Sequence, residues 1–365
     1  MDRDAPARLL RTALPIVAVL VFAGSLALTL GFAGDTLGFD FRAYHQAIVR
    51  LLGGGPLYDM SYTETGGFGL FYYPPTFAPL LVPFGFAPEP LAIGVWIGLS
   101  VVAFLAGVAI LPVSRAVAWW IVLLAGLSFP FVYGVKLEQV GPILFLLMAV
   151  GWRWIDAPAR LGVSAALGAA IKLQPGLILG WALLTRRFRA VVIGAGVLGA
   201  LSIVATFMAG PSAWTDFLTL VRTVSDPITT PHNFTPGAVA YQLGAPATLA
   251  SAIQVASMVL VVVLVLVAIR WSTDEASYLA TVVATQLLSP ILWDHYAALL
   301  LLPVAYLLAA GRWWAVLIPL VTAWPLVTIT PPAAYPLAFW VTLVAVVIVG
   351  ARARSEAPAT PATLA

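Results

Sequence analysis

Residues 153–189 read RWIDAPARLGVSAALGAAIKLQPGLILGWALLTRRFR, an apolar stretch with arginines at both ends. The segment 161–184 is long enough to cross a membrane, but Lys172 and Pro175 interrupt it near the middle. Proline breaks a helix, and an ionisable group at that depth is costly unless it has a function. A single crossing would also leave one arginine cluster on the outer side. The stretch therefore predicts a re-entrant hairpin that enters and leaves on one side of the membrane.

The composition is that of an all-α polytopic membrane protein. Of the 365 residues, 62% are hydrophobic and 9% are charged, whereas a soluble domain carries about 25% charge. Apolar segments along the chain predict about 10–12 transmembrane segments. We expect one membrane domain over residues 1–350 and a disordered cytoplasmic tail over 351–365. The chain has no cysteine, which excludes disulfides, thiolate metal sites and a cysteine nucleophile.

The distribution of arginine sets the orientation. With a cytoplasmic N-terminus and the hairpin, most basic residues face the cytoplasm, as the positive-inside rule requires. A simple crossing at 161–184 would instead put more of them outside than inside. The two long loops, 34–90 and 210–247, then face outward. The polar residues with recognisable chemistry lie on the same outer face; they include Asp40, Lys136, His232, Asp294 and His295.

The first outer loop begins with GDTLGFDFRAYHQAIVRLLGGG, residues 34–55. Its apolar residues recur at spacings of three, four and three: Phe41, Tyr44, Ile48 and Leu51. This pattern predicts a helix lying on the membrane with its apolar side in the lipid and Asp40 at its N-terminal end. Asp40 has two interpretations, a helix cap or the carboxylate of a site on the outer face.

Three further strings carry candidate residues, each with a structural alternative. Tyr73 lies in the stiff turn FYYPP, either as an interfacial anchor or as a sugar-stacking wall. Gln139 follows Lys136 and Glu138, which can simply pair with each other at a helix end. Lys172 could hold a phosphate, or it could pair with an acid such as Asp294.

Two strings lie later in the chain. His232 in TTPHNFTPGA is either an ordinary loop residue or a substrate contact, and Asn233 begins a glycosylation sequon. Trp293, Asp294 and His295 belong to SPILWDHY, which is either an interfacial turn or a set of phosphate and sugar contacts. The sequence contains no nucleotide-binding or zinc-protease motif, so we expect no cofactor, no metal and no nucleic-acid partner.

The order of these strings resembles a known family. An Asp soon after the first span is followed by a YPP turn, G-x-x-x-x-Q-x-G, I-K-L-x-P and S-P-x-x-W-x-H-Y. This order resembles the polytopic GT-C glycosyltransferases of family 87. That family includes polyprenol-phosphate-mannose-dependent α-mannosyltransferases and an arabinofuranosyltransferase. The resemblance covers about residues 10–345, but the family usually has Gly at the position of Glu138.

The resemblance implies a GT-C bundle with a large first extracytoplasmic loop in a bacterial plasma membrane. It implies a polyprenyl-phosphate sugar donor, with mannose expected, and a lipid or glycan acceptor beside the membrane lipids. The family's Asp after the first span matches Asp40, expected to be the general base. The His of the S-P-x-x-W-x-H motif matches His295.

Chemistry alone leads to compatible roles. A lipid-linked donor needs a carboxylate to accept the acceptor's proton and cations to hold the departing phosphate. Asp40 is the candidate base, and a single base implies inversion. Cations for the phosphate are Lys172, His295 and Arg42, and candidate substrate contacts are Tyr73, Gln139, His232, Trp293 and Asp294. The alternatives are a lipid or small-solute transporter, or an inactive scaffold of the same fold.

Overall fold

The computed structural model describes residues 5–61, 70–224 and 226–356, and these residues form helices and connecting turns without a β-strand. The α-helices are α1 (Ala5–Gly31), α2 (Phe39–Leu52), α3 (Ala78–Gly85), α4 (Glu89–Ile110), α5 (Arg115–Leu127), α6 (Phe129–Leu137), α7 (Gly141–Arg153), α8 (Pro158–Ile171), α9 (Leu177–Leu184), α10 (Phe188–Ala209), α11 (Ser212–Val224), α12 (Pro236–Gln242), α13 (Ala247–Trp271), α14 (Asp274–Leu287), α15 (Leu301–Ala309), α16 (Leu317–Leu320) and α17 (Ala334–Glu356). Short 3₁₀ turns connect several of them; the turns important for function are Pro75–Phe77, Gln174–Gly176 and Asp294–Leu300. The predicted all-α class is confirmed.

Five helices in the described part of the chain are long and apolar enough to cross a membrane: α1, α4, α10, α13 and α17. Helices α6 and α7 form a sixth such segment together, with a bend of 117° between them. Other apolar helices are shorter, with 10–17 residues. The protein is therefore polytopic, but fewer helices reach membrane length than the 10–12 predicted. One reason is visible between α5 and α6, where the apolar run is interrupted at Ser128 and Pro130 lies in the first turn of a new helix.

The segment around Lys172 folds as a hairpin. Helix α8 ends at Ile171, and α9 returns alongside it after a short 3₁₀ turn. Gly194 of α10 lies against both arms, because a Cβ added there would meet the carbonyl oxygen of Gly162 at 3.1 Å and Leu179 at 2.6 Å. Past the second arm, the Arg187 Nε donates to the carbonyl of Ile155, which precedes the first arm, at 3.3 Å. The chain thus enters and leaves at one end of the bundle, as a re-entrant hairpin requires.

Contacts at that end join other predicted cytoplasmic segments. Arg187 forms ion pairs with Asp156 at 3.1 Å and Asp274 at 2.7 Å. Arg354 of α17 donates to the carbonyl of Ser272 at 2.9 Å. Two of the arginines used to predict the topology, Arg187 and Arg354, therefore make contacts at the same end of the bundle.

Helix α2 packs inward on the protein. Phe41, Tyr44 and Ile48 are buried, and the Phe41 ring contacts Trp96 of α4 with 5.0 Å between ring centroids. The expectation that this apolar stripe lies in lipid is therefore wrong. Periodicity identifies the buried face of a helix but not what covers it.

The C-terminal helix is longer than the sequence indicates. Helix α17 continues to Glu356, six residues beyond the expected end of the membrane domain at 350. The rest of the predicted tail, residues 357–365, lies outside the described residues.

The hairpin predicts which introduced cysteines react with an impermeant thiol reagent on intact cells. Phe188→Cys, at the exposed first residue of α10, should stay unlabelled because the predicted topology puts it on the cytoplasmic side. Thr229→Cys, in the loop 210–247, should be labelled because the same topology puts it on the outer side. The chain has no native cysteine to interfere. Labelling of Phe188→Cys on intact cells, with disrupted cells as the reference, would contradict the hairpin.

Candidate active site

The site begins where α2 meets the turn between α6 and α7. Gly38 is the N-cap of α2 in left-handed backbone (φ 66°), and its N–H donates to the carbonyl of Lys136 at 3.0 Å. Asp40 is therefore already inside the first turn and is not the cap. Its Oδ2 instead accepts a hydrogen bond from Gln139 Nε2 at 2.5 Å. The capping interpretation of Asp40 is wrong, because glycine takes the left-handed position before it.

Buried tyrosines stand behind Gln139. The Tyr73 hydroxyl donates to Gln139 Oε1 at 3.0 Å and lies 2.5 Å from the Tyr44 hydroxyl. Tyr58 donates its hydroxyl to the backbone carbonyl of Tyr73 at 2.6 Å. The polar groups of Tyr73 and Gln139, which the sequence indicates as substrate contacts, are thus bonded to neighbouring protein groups.

Lys172 lies at the tip of the hairpin. Its Nζ sits 3.9 Å from the ring centroid of Tyr296 and 5.7 Å from that of Tyr73. Thr76, next to the YPP turn, donates to the carbonyl of Ala170 at 2.8 Å and ties that turn to the tip. No carboxylate among the described residues lies within 4.0 Å of this lysine, so the structural alternative, an ion pair with an acid such as Asp294, does not form.

His295 lies in the 3₁₀ turn Asp294–Leu300, far along the sequence from Lys172. Asp294 Oδ1 accepts from the backbone N–H of His295 at 2.6 Å and lies 3.3 Å from Nδ1 of its ring. The other ring nitrogen, Nε2, is buried and has no hydrogen-bond partner among the described residues. Trp293, half-buried, caps the 3₁₀ turn that carries this pair. A buried polar atom without a partner is costly, so Nε2 is suited to a ligand.

The electrostatic environment of Asp40 joins these elements. Burial raises the pKa of the Asp40 carboxyl, while nearby His295, the Gln139 hydrogen bond and Lys172 lower it, and Asp294 raises it. The structure therefore brings Asp40, Lys172 and His295 together from α2, the hairpin tip and the turn after α14. Among the described residues, no cluster of three or more His, Asp or Glu side chains could hold a metal ion.

Two predicted site residues lie apart from this cluster. Arg42 forms an ion pair with Glu89 at 3.3 Å and donates to the carbonyl of Asp35 at 2.9 Å. His232 is exposed in a left-handed turn (φ 58°), with no side-chain hydrogen bond among the described residues. The loop position of His232 matches its ordinary structural alternative.

A protein-family model, glycosyltransferase family 87, matches residues 71–292, more than half of the chain. The chain belongs to glycosyltransferase family 87. It is an enzyme that moves a sugar from a donor to an acceptor. The matched part contains Tyr73, Gln139 and Lys172, whereas Asp40 and His295 lie outside it and join the cluster through the fold. No curated protein and no solved structure matches the chain.

Sequence analysis of this family 87 enzyme missed the role of Asn233. The side chain is fully buried, and its Nδ2 donates to the carbonyls of Pro227 at 2.8 Å and Pro290 at 3.1 Å. Its Oδ1 accepts from the N–H groups of Thr235 at 3.0 Å and Leu292 at 2.9 Å. The amide fastens the loop between α11 and α12 to the segment just before His295, so Asn233 has a structural role. Asn233 is the single asparagine of the chain, the one signal that could have drawn attention to it.

Tyr296 is the second residue that sequence reasoning missed, although it ends the quoted string SPILWDHY. Its ring lies under the ammonium of Lys172. An aromatic face at this distance stabilises a buried cation without neutralising it. Tyr296 therefore borders Lys172 at the hairpin tip.

Glu138 is a costly residue at the edge of the site. It adopts left-handed backbone (φ 62°), and both oxygens of its fully buried carboxyl group lack hydrogen-bond partners among the described residues. Glycine fits such backbone without strain, which gives a physical reason for the Gly expected here from the family pattern. The energetic cost of burying Glu138 arises next to the site, because the following residue, Gln139, donates the hydrogen bond to Asp40.

Glu138→Gln should raise the melting temperature of the purified enzyme at pH 8. At that pH the wild-type side chain must either bury a charge or take up a proton, and a neutral amide of the same size needs neither. The gain should shrink at pH 5.5. Scanning fluorimetry in detergent measures the difference, with Glu89→Gln as the control on a half-buried carboxylate that is paired with Arg42. A lower melting temperature at pH 8 would show that the Glu138 carboxylate is stabilising.

Proposed function

We propose that this enzyme transfers a sugar, with mannose expected, from a polyprenyl-phosphate donor to a lipid or glycan acceptor, with inversion. The observation that carries the proposal is the meeting of Asp40 with Lys172 and His295 in one cluster. One member can accept a proton, and the other two can hold an anion. Glycosyl transfer from a lipid phosphate needs these two capacities on opposite sides of one anomeric carbon.

The surroundings of Lys172 support a lipid donor. The ammonium lies at the tip of a hairpin inside an apolar bundle, where a charged group without a function is costly. Next to it, Leu173 and Leu177 are exposed, with 60% and 38% of their surfaces accessible. A prenyl chain could lie on these leucines while its phosphate reaches Lys172 and the unpartnered Nε2 of His295.

The proposed step is a single displacement. Asp40 accepts the proton of the acceptor hydroxyl as that oxygen forms a bond to the anomeric carbon. The bond from this carbon to the phosphate oxygen breaks, and the polyprenyl phosphate leaves with the electron pair. Lys172 and His295 stabilise the negative charge on the departing phosphate. Attack opposite the leaving group inverts the configuration, so a β-linked donor gives an α-linked product.

The remaining predicted contacts belong to the same proposal. Asp294 and Trp293 flank His295, and the ring of Tyr73 faces Lys172, so these side chains would border a bound donor. Arg42 and His232 lie farther out and would contact a donor or acceptor only from the rim. We place the site on the extracytoplasmic face of a bacterial plasma membrane, because Arg153, Arg187 and Arg354 lie at the opposite end of the helical bundle.

Asp40→Asn should reduce sugar transfer by roughly 10²–10⁴-fold, the usual contribution of a general base. The amide keeps the size of the side chain but cannot accept the proton. The assay follows radiolabelled mannose from polyprenyl-phosphate mannose into lipid or glycan by membranes containing each variant. Asp35→Asn, on an exposed carboxylate five residues earlier, is the matched control. Transfer by Asp40→Asn above a tenth of the wild-type rate would move the base elsewhere. Wild-type enzyme without transfer from any lipid-linked sugar would favour the scaffold or transporter alternatives.

Lys172→Ala and His295→Ala should weaken use of the lipid donor by roughly 10²-fold, as the loss of one anion-stabilising group does in other enzymes. Both variants should be recovered in normal yield, because neither side chain forms an ion pair with another helix in the part of the chain that the structure describes. Lys136→Ala removes the other lysine of the chain and serves as the control. A Lys172 variant that loses about 3–5 kcal/mol of stability would identify a structural charge. Normal donor turnover by both variants would contradict phosphate binding.

A further inference from the structure

A chain of four side chains ends at the proposed base. Tyr44, Tyr73, Gln139 and Asp40 are linked by three hydrogen bonds of 2.5, 3.0 and 2.5 Å. They come from α2, the YPP turn and the turn between α6 and α7. The inference below rests on the proposed function, in which Asp40 is the general base.

The hydrogen bonds of this chain have one polarity. An ionised carboxylate only accepts hydrogen bonds, so Gln139 must turn its NH₂ group toward Asp40. The amide oxygen of Gln139 then faces Tyr73 and can only accept, so the Tyr73 hydroxyl donates. That hydroxyl has a single proton, and its oxygen can therefore only accept from Tyr44. Every proton in the chain points toward Asp40.

Burial makes this polarity rigid. The exposed fractions of Tyr44, Tyr73 and Gln139 are 1%, 5% and 7%, so water has little access to replace a partner. Burial raises the pKa of both phenols well above the ordinary value, and both keep their protons. The two rings pack edge to face with 4.8 Å between centroids. A flip of the Gln139 amide would face two oxygens toward each other at Asp40 and leave a buried donor without a partner.

The bond to Gln139 occupies one oxygen of the carboxylate. Oδ2 of Asp40 accepts from Gln139, while Oδ1 makes no hydrogen bond among the described residues. A base held in this way has one oxygen fixed and one oxygen directed at the substrate. The neutral amide cannot pass a proton onward, because it has no basic atom toward Asp40.

We propose that Gln139 and Tyr73 are positioning residues, which hold Asp40 ionised and turn its free oxygen toward the acceptor hydroxyl. Gln139 acts directly on the carboxylate, and Tyr73 acts by fixing the orientation of the Gln139 amide. Neither residue needs to touch the sugar. This role differs from the substrate contact that the sequence indicates for both.

The test is the pH dependence of kcat/KM for transfer from polyprenyl-phosphate mannose. A base must be ionised, so the rate falls on the acid side of its pKa. The Gln139 bond lowers the pKa of Asp40, and its loss should therefore move the acid limb to higher pH. We expect Gln139→Met and Tyr73→Phe to shift this limb by about one pH unit, the equivalent of one ordinary hydrogen bond. At the pH optimum, kcat should fall at least roughly tenfold, as expected for a misplaced catalytic group, while the KM for the donor stays within about twofold.

Tyr58→Phe is the matched control. This variant also removes one buried phenol hydroxyl, but that hydroxyl donates to the backbone carbonyl of Tyr73 and takes no part in the series of side-chain hydrogen bonds that ends at Asp40. Its acid limb should coincide with that of the wild type. Tyr73→Phe loses a single oxygen atom and keeps the packing of the ring, so it decides the question even if Gln139→Met folds poorly.

Asp40→Asn distinguishes failure of the proposed function, with Asp40 as the base, from failure of the positioning role of Gln139 and Tyr73. If it keeps transfer, Asp40 is not the base and the proposed function fails at that residue. If it abolishes transfer while Tyr73→Phe keeps the wild-type acid limb and kcat, the base stands and the positioning role is overturned. A raised donor KM with an unmoved acid limb in both chain variants would instead assign Tyr73 and Gln139 to substrate binding, and would equally overturn it.

Discussion

The carboxylate of Asp40 is held in place by a hydrogen bond from the side-chain amide of Gln139, which comes from another part of the sequence. Gln139 can reach it because the N-terminus of α2 is fixed against the turn between α6 and α7. Two hydrogen bonds hold this turn in place. The N–H of Gly38 donates to the carbonyl of Lys136, and the indole of Trp96 donates to the carbonyl of Glu138 at 2.8 Å. Burial raises the pKa of the Asp40 carboxyl, and the hydrogen bond from Gln139 lowers it. The packing of α2 is therefore also a condition for the proposed role of Asp40.

The second half of the site reaches it from the opposite end of the bundle. Helices α8 and α9 are anchored beside Ile155 and Arg187, and only their tip, with Lys172, comes near Asp40. His295 is added by a turn whose path Asn233 fixes. Three distant stretches of sequence thus contribute one charged or titratable group each, and none of them forms a site alone.

Much of this arrangement could be predicted from the sequence, because charge and proline leave direct physical signals. Lys172 beside Pro175 in an apolar stretch indicates a broken, functional segment, and the arginines around it indicate the hairpin. Asp40 and His295 follow from the family resemblance. The structure then brings these predicted residues together, although their catalytic roles remain proposals.

Other features could not be predicted, since they depend on partners far away in the sequence. The apolar stripe of α2 has the same periodicity whether lipid or protein covers it, and here Trp96 and its neighbours do. Tyr44 belongs to that stripe, so its hydroxyl gave no sign of a hydrogen bond to Tyr73. The engagement of Arg42 with Glu89 likewise depends on how α2 and α4 pack. A local pattern indicates which face is buried, whereas specific contacts require the tertiary structure.

The length of the hairpin also limits how far Lys172 can reach across the membrane. Helix α8 has 14 residues, and at about 1.5 Å per residue it rises at most about 21 Å from its anchored end. A hydrocarbon core is about 30 Å thick, so the ammonium of Lys172 stops short of the far boundary. In the proposed function, the donor phosphate must therefore lie below the plane of the neighbouring headgroups to reach Lys172. That depth varies with bilayer thickness, so under this proposal the lipid composition of the membrane affects how easily the donor binds.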